Sequence, residues 1–261
     1  MDYLVICAIA FFVSGLTLFS GFGLGTVLMP AFALFFPLPV AVAATAVVHL
    51  ANNLFKLGLV GRGADRNVLL RFAVPAACAA VAGAWLLTAL GDLPPLHSYS
   101  LGGRIHDVSA VKAVIGLLIV GFAALELSPA FARLEVPRRY LPLGGLLSGF
   151  FGGLSGNQGA LRSVFLIKAG LDKESYIATG VAATVLVDTT RLAVYGLSFY
   201  SAKLAVVAGE MLPLVLAATL AAFVGAFAGK RLLKKMTLRT VQLVVAACMM
   251  LIGAALVAGL A

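Results

Sequence analysis

The chain is cut into apolar segments close to the length that crosses a bilayer, and this constrains its fold more than any other feature. The segments lie at roughly 3–19, 22–36, 40–60, 69–90, 108–126, 141–155, 157–169, 174–196, 203–228 and 239–260 of 261 residues. A full helical span needs about 20 predominantly apolar residues. The polar connections are short, the longest near 91–107 and 127–140, and neither could form a soluble domain. Hydrophobic residues make up 62% of the chain and charged residues 11%. Soluble domains hold about 45–50% and 25%, so a soluble enzyme, a nucleic-acid-binding domain and a disordered tail are excluded. Met1-Asp2-Tyr3 offers no basic stretch before the first apolar run, which is therefore read as a retained span. Cys7, Cys78 and Cys248 lie inside apolar blocks and are read as buried thiols, with no disulfide framework or metal-site spacing.

Two pairs of segments, 3–36 and 141–169, are each interrupted by a Gly-rich stretch and contain pieces too short to span. The first break reads Ser20-Gly21-Phe22-Gly23-Leu24-Gly25. The second reads Gly152-Gly153-Leu154-Ser155-Gly156-Asn157-Gln158-Gly159. A constant offset of 135 aligns Ser20-Gly21 with Ser155-Gly156, His49 with Thr184, Asn53 with Asp188, Lys56 with Arg191, and Gly61 with Gly196. Polar residues inside apolar segments are rare, so their matching register points to a duplication.

Charge distinguishes two topologies. If each broken pair crosses the membrane once, the sixteen loop or loop-proximal basic residues divide 9 to 7. If each pair crosses twice, one side holds Arg62, Arg66, Arg71, Arg133, Arg138, Arg139, Lys168, Lys173, Lys230, Arg231, Lys234, Lys235 and Arg239. The other side then holds only Arg104, Lys112 and Lys203. The positive-inside rule selects this 13 to 3 division and makes the richer side cytoplasmic. The predicted fold is an all-α integral membrane protein with both termini outside. It has two inverted repeats of five membrane segments, each headed by a Gly-interrupted pair of short helices. The repeats are placed at 1–126 and 140–261, joined by a cytoplasmic linker at 127–139. Inverted repeats of this kind point to a secondary transporter with its site at the repeat interface. The alternative is a protein whose glycines only let helices pack closely.

The Gly-rich break followed by Met29-Pro30, with Ala43-Ala44-Thr45 in the next helix, resembles the sulfite exporter TauE/SafE family. This family is also called the toluene-sulfonate uptake permease family. In the second half, Leu154 to Ser163, Ala178-Thr179-Gly180 and Val187-Asp188-Thr189-Thr190-Arg191-Leu192 fit as well. No proline there matches Pro30, and Arg162 stands nearby. The resemblance implies a bacterial inner-membrane transporter of sulfite, a sulfonate, sulfoacetate, thiosulfate or a related anion, in either direction; in that membrane the charge division makes both termini periplasmic.

Three cations lie outside the loops: Lys56, Arg162 and Arg191. Each costs about 2.5–3.5 kcal/mol at mid-bilayer, so such residues normally face the bundle interior or a watery cavity. Lys56 is near enough to its helix end to snorkel instead. Thr45, His49, Asn52, Asn53 and Lys56 share one helix face, as do Thr184, Asp188, Arg191 and Tyr195. These stripes either line a cavity or hold the bundle together. Three cations stand against Asp188, with Glu210 a further candidate, so a cavity here favours an anion. Arg presents a planar fork suited to sulfur oxyanions. Gly21 and Gly156 at the breaks let backbone N–H groups approach the anion. Ser20, Thr26, Ser155, Asn157, Gln158 and Ser163 could add neutral donors. Asp188 either neutralises Arg191 or carries a coupling proton. His49 is either a structural hydrogen-bonding group or a titrating one.

His97 and His106 lack a third ligand in a clear pattern, so no metal or cofactor is expected. The expected partners are the anion, membrane lipids and coupling protons, without nucleic acid; association into a homo-oligomer is left open. The leading expectation is a non-enzymatic transporter working by alternating access between inverted halves. An intramembrane enzyme acting on a lipid phosphate, or a scaffold without a small-molecule site, stands as the alternative.

Overall fold

The computed structural model describes residues 2–20, 24–36, 38–134, 136–167, 169–197, 209, 211–232 and 238–260. Among these the protein is nearly all helical. The first half holds α1 (Asp2–Ser20), α2 (Leu24–Ala33), α3 (Leu38–Val60), α4 (Arg66–Gly91) and α5 (Ala110–Leu127). A short α6 (Pro129–Ala132) follows. The second half holds α7 (Leu141–Ser155), α8 (Gly159–Ile167), α9 (Lys173–Leu197), α10 (Leu212–Leu232) and α11 (Leu238–Val257). Ser155 follows Ser20 by 135 positions, as Gly159 follows Leu24 and Lys173 follows Leu38. Among the described residues, five stretches are long and apolar enough to cross a membrane: Val40–Gly63, Arg66–Gly91, Ala110–Leu127, Lys173–Leu197 and Leu212–Gly229.

Local chemistry sets several helix ends. Asp65 caps α4 by accepting from Val68 N at 2.9 Å, and Ser109 caps α5 by accepting from Lys112 N at 3.3 Å. Asp172 accepts from Ser175 N at 2.8 Å at the start of α9, and this bond holds its carboxyl below the usual carboxylate range. Gly156 ends α7 at φ +79, the left-handed conformation that glycine adopts at no steric cost.

One element departs from the all-α expectation. The polar connection after α4 contains an antiparallel hairpin, β1 (His97–Leu101) and β2 (Arg104–Val108). Its turn is Gly102-Gly103, at φ +61 and +77, which suits the twist of a two-residue hairpin loop. Tyr99 sits between His97 and His106 in a stacked row of rings. Its hydroxyl donates to Ala258 O at 2.6 Å, which ties the hairpin to the end of α11.

The two halves pack through each other. α1 lies on α10, α4 on α7, α3 on α9 and α5 on α11. Gly145, Gly149 and Gly153 of α7 face the carbonyls of Phe72, Ala76 and Ala80 of α4 in ascending order, so these helices run parallel. Gly225 and Gly229 of α10 face the carbonyls of Phe11 and Gly15 of α1 in the same sense. α3 and α9 run antiparallel, because His49 meets Asp188 while Asp65 N, just past α3, donates to Thr179 Oγ1 at 2.9 Å. Gly116 meets Val257 and Val120 meets Gly253, so α5 and α11 are antiparallel as well.

Polar and small residues point inward, while Trp85, Leu117, Leu220 and Leu251 are exposed. This is the distribution expected where the surroundings are lipid. It corrects one expectation: Cys78 is exposed on α4, and Cys7 and Cys248 are only half-buried. A lipid-facing position is as apolar as a core position, so hydropathy could not separate them.

Candidate functional site

The polar stripes of α3 and α9 face one another. Thr45, Asn52, Asn53 and Lys56 are buried, as are Thr184, Asp188, Arg191 and Tyr195. At the centre, Asp188 Oδ2 lies 2.7 Å from His49 Nδ1. Asp188 Oδ1 accepts from Arg191 Nε at 3.0 Å and from Gln158 Nε2 at 3.5 Å. Arg191 Nη2 is also 3.0 Å from Oδ1, an ion pair without hydrogen-bond alignment. With the carboxylate accepting, His49 Nδ1 is the protonated nitrogen in this assignment. Asn53 Nδ2 therefore donates to the His49 carbonyl at 2.8 Å, and its 3.3 Å approach to Nδ1 is not a bond.

Both Gly-rich breaks reach this centre. A Cβ built on Gly25, the last residue of the first break, would lie 3.5 Å from His49 Nε2 and 3.6 Å from Gly156 O. A Cβ on Gly156 would lie 2.9 Å from Arg191 Nη1, so the guanidinium rests directly on the second break. Tyr195 OH donates to Gly153 O at 2.8 Å and anchors α9 to α7 beside it.

Arg162, on α8, donates to Thr184 Oγ1, which in turn donates to Gly180 O at 2.8 Å. Its side chain runs along Gly180, where a Cβ would lie 3.4 Å from Nε. Lys56 is 6% exposed, so it does not snorkel, and it lies close enough to Arg162 for the two cations to repel. Arg162 is also within electrostatic reach of Asp188.

The neutral candidates divide. Ser155 Oγ donates to Phe151 O at 3.0 Å and Ser163 Oγ to Gly159 O at 2.9 Å, so both hydroxyl hydrogens are committed to their own helices. Asn157 is 4% exposed, and neither its amide nitrogen nor its oxygen has a partner among the described residues. Thr45 Oγ1 and Asn52 Nδ2 are in the same position. A buried unsatisfied polar atom costs about 1–3 kcal/mol, which makes these the groups with most to gain from a polar ligand. Ser20 and Thr26 are placed by their backbone alone, at the end of α1 and in α2. Gly21, Lys168, Lys203 and Glu210 lie outside the described residues.

Ser14 was missed by sequence reasoning. It donates to Asn52 Oδ1 at 3.2 Å and couples α1 to the α3 stripe; its signal was a lone hydroxyl inside an apolar segment. Two apolar surface grooves, one bounded by Leu117, Phe122 and Phe151 and one by Leu69, Val74 and Leu186, lie apart from the charged cluster.

No curated protein and no solved structure matches the chain. The family described as sulfite exporter TauE/SafE matches residues 5–256, nearly the whole length. A family of membrane transporters for a small sulfur oxyanion accounts for the apolar helices and for cations buried between them. The chain belongs to the sulfite exporter TauE/SafE family.

Proposed function

We propose that this protein is a secondary transporter that binds a small sulfur-containing anion where the two Gly-rich breaks meet, and passes it by alternating access. The observation that carries this reading is the burial of Lys56, Arg162 and Arg191 near the breaks, with Arg191 bonded to the buried carboxylate of Asp188 and Arg162 within electrostatic reach of both Asp188 and Lys56. Buried cations of this density are costly without a counter-charge. The assigned ligands are Arg162, Arg191, Lys56, Asn53, Asn157 and Gln158, with backbone at Gly21 and Gly156 and hydroxyls at Ser20 and Thr26; Ser155 and Ser163, whose hydroxyl hydrogens go to Phe151 O and Gly159 O, donate none. His49 offers Nε2 to the same space.

The helix pairing supports two inverted halves, 1–126 and 140–261, joined by a cytoplasmic linker. α1 and α10 are the first segment of one half and the fourth of the other, and α4 and α7 are the same pair with roles exchanged. α3 and α9, and α5 and α11, pair each segment with its own counterpart. Contacts that repeat when the halves are exchanged are what a two-fold relation produces. We place the protein in the bacterial inner membrane with both termini periplasmic.

The membrane potential, negative inside, favours anion exit by about 2.3 kcal/mol per charge per 100 mV. Export therefore needs no coupling, whereas accumulation needs a proton, and the His49–Asp188 pair is its carrier in this reading. The lipid-phosphate enzyme gains no support, because both oxygens of Asp188 are already engaged and the cluster has no second carboxylate among the described residues. Flux of sulfite, thiosulfate and sulfonates into proteoliposomes tests the proposal. At least one should move, and Arg162→Ala or Arg191→Ala should abolish its movement. Silence for every sulfur anion, with flux of a cation or neutral solute, would sink it. Asp188→Asn or His49→Gln should remove accumulation driven by a proton gradient while part of the downhill flux survives.

A further inference from the structure

Most buried glycines near the site have a structural reason. A Cβ at Gly145, Gly149 or Gly153 of α7 would overlap a carbonyl of α4. Gly156 is required by its backbone, at φ +79. Gly25 meets neither condition. It is buried in the first turn of α2 and its φ is not positive. A Cβ there would come no nearer than 3.4 Å to any described residue outside its own helix. Alanine forms helix better than glycine, so neither packing nor conformation accounts for this one.

What Gly25 leaves is room for one methyl group between the two breaks. That room is closed by the Cδ2–Nε2 edge of His49, 3.4 and 3.5 Å from the Cβ position, and by Gly156 O at 3.6 Å. Both polar atoms are acceptors. His49 carries its proton on Nδ1, towards Asp188, which leaves a lone pair on Nε2. Gly156 O receives no backbone hydrogen bond from the described residues. Donors belong to the same break: the Arg191 guanidinium rests on Gly156, and the amide of Asn157 is unpartnered.

We infer that Gly25 sets the size limit on the group attached to the sulfur of the ligand. Two acceptors repel an anionic oxygen, so the oxygens of the ligand turn to the donors of Arg191 and Asn157. The substituent on sulfur then takes the space at Gly25, where the C–H groups of a methyl serve as weak donors to His49 Nε2 and Gly156 O. Sulfite has no such substituent and does not need the space.

The inference rests on the anion-transport reading, and sulfite against methanesulfonate separates the two. Calorimetry on the full chain in nanodiscs, at pH 7.5 and constant ionic strength, should show both binding to the wild type. Propane-2-sulfonate should bind at least about tenfold more weakly than methanesulfonate, the low end for an added methylene in a fitted pocket. Gly25→Ala should weaken methanesulfonate at least about tenfold, leave sulfite within about threefold, and match the wild type in thermal stability. Gly121→Ala, on the exposed side of α5, should leave the ratio of the two ligands unchanged. Several results overturn the size inference and leave anion transport standing. These are equal loss of both ligands in Gly25→Ala, loss of neither, a lower melting temperature, or the same shift in Gly121→Ala. A wild type that binds sulfite but no methanesulfonate, or propane-2-sulfonate as tightly as methanesulfonate, overturns it as well. Failure of sulfite, thiosulfate and methanesulfonate alike to bind or move overturns the transport reading itself.

Discussion

Asp188 is held from three elements: His49 on α3, Arg191 on its own helix and Gln158 in the second break. Removing one partner of a buried ion pair costs about 3–5 kcal/mol, because the other charge is left without compensation. Arg191→Met should therefore lower stability in detergent by about that amount, measured by denaturant titration. Asp188→Asn combined with Arg191→Met should recover at least half of the loss, since no bare carboxylate remains. Additive losses in the double variant would show that the pair matters through packing alone. At this scale much was legible. A cation or carboxylate inside an apolar run announces itself, and Lys56, Arg162, Asp188 and Arg191 were all visible in the sequence. Their partners were not. His49 and Asp188 are 139 residues apart, and no local pattern says that α3 faces α9. Nor could helix position alone decide between snorkelling and burial for Lys56. Its burial depends on what packs over it.

The helices meet through backbone wherever glycines recur at fourth positions. On α7, a Cβ at Gly149 would overlap the Ala76 carbonyl of α4. Gly149→Ala should cost about 1–3 kcal/mol, the range for overpacking a tight interior, read as a loss of thermal stability in detergent. Gly121 on α5 has open space around it. Gly121→Ala should be neutral or stabilising by up to about 1 kcal/mol, because alanine forms helix better than glycine. A uniform response at both positions would mean that the effect is helix propensity and not the seam. The sequence marked where helices run, since apolar length and Gly-rich punctuation are local properties, and the observed starts of α2 and α8, and of α3 and α9, keep the offset of 135. It did not mark which face of a helix meets lipid, and Cys78 is the cost of that ambiguity. The hairpin was legible but unread: Gly102-Gly103 between Ser98–Leu101 and Arg104–Asp107 carries a turn signal that a polar connection hides.

Across the whole molecule, the helix directions and the charge division support the same arrangement by independent routes. Counting basic residues assigns Arg62, Arg66 and Lys173 to one side of the membrane. In the fold, the turn after α3 lies against the start of α9, with Gly63 beside Glu174 and Ala178 and Asp65 bonded to Thr179. The hairpin carrying Arg104 lies instead beside the end of α11, through Tyr99 and Ala258. Two groups of connections assigned opposite sides by charge thus gather at different sets of helix ends. Single cysteines make the consequence measurable. In a background with Cys7, Cys78 and Cys248 replaced, Ser98→Cys should react with a membrane-impermeant maleimide added to intact cells. Arg138→Cys, in the linker between the halves, should react only after the membrane is opened. Labelling of both from the same side would mean that α5, the one long apolar helix between them, does not cross, which leaves an even number of crossings in the first half. The halves would then share one orientation, no two-fold axis could lie in the membrane plane, and an anion site between inverted repeats would lose its geometric basis even with the buried cations in place.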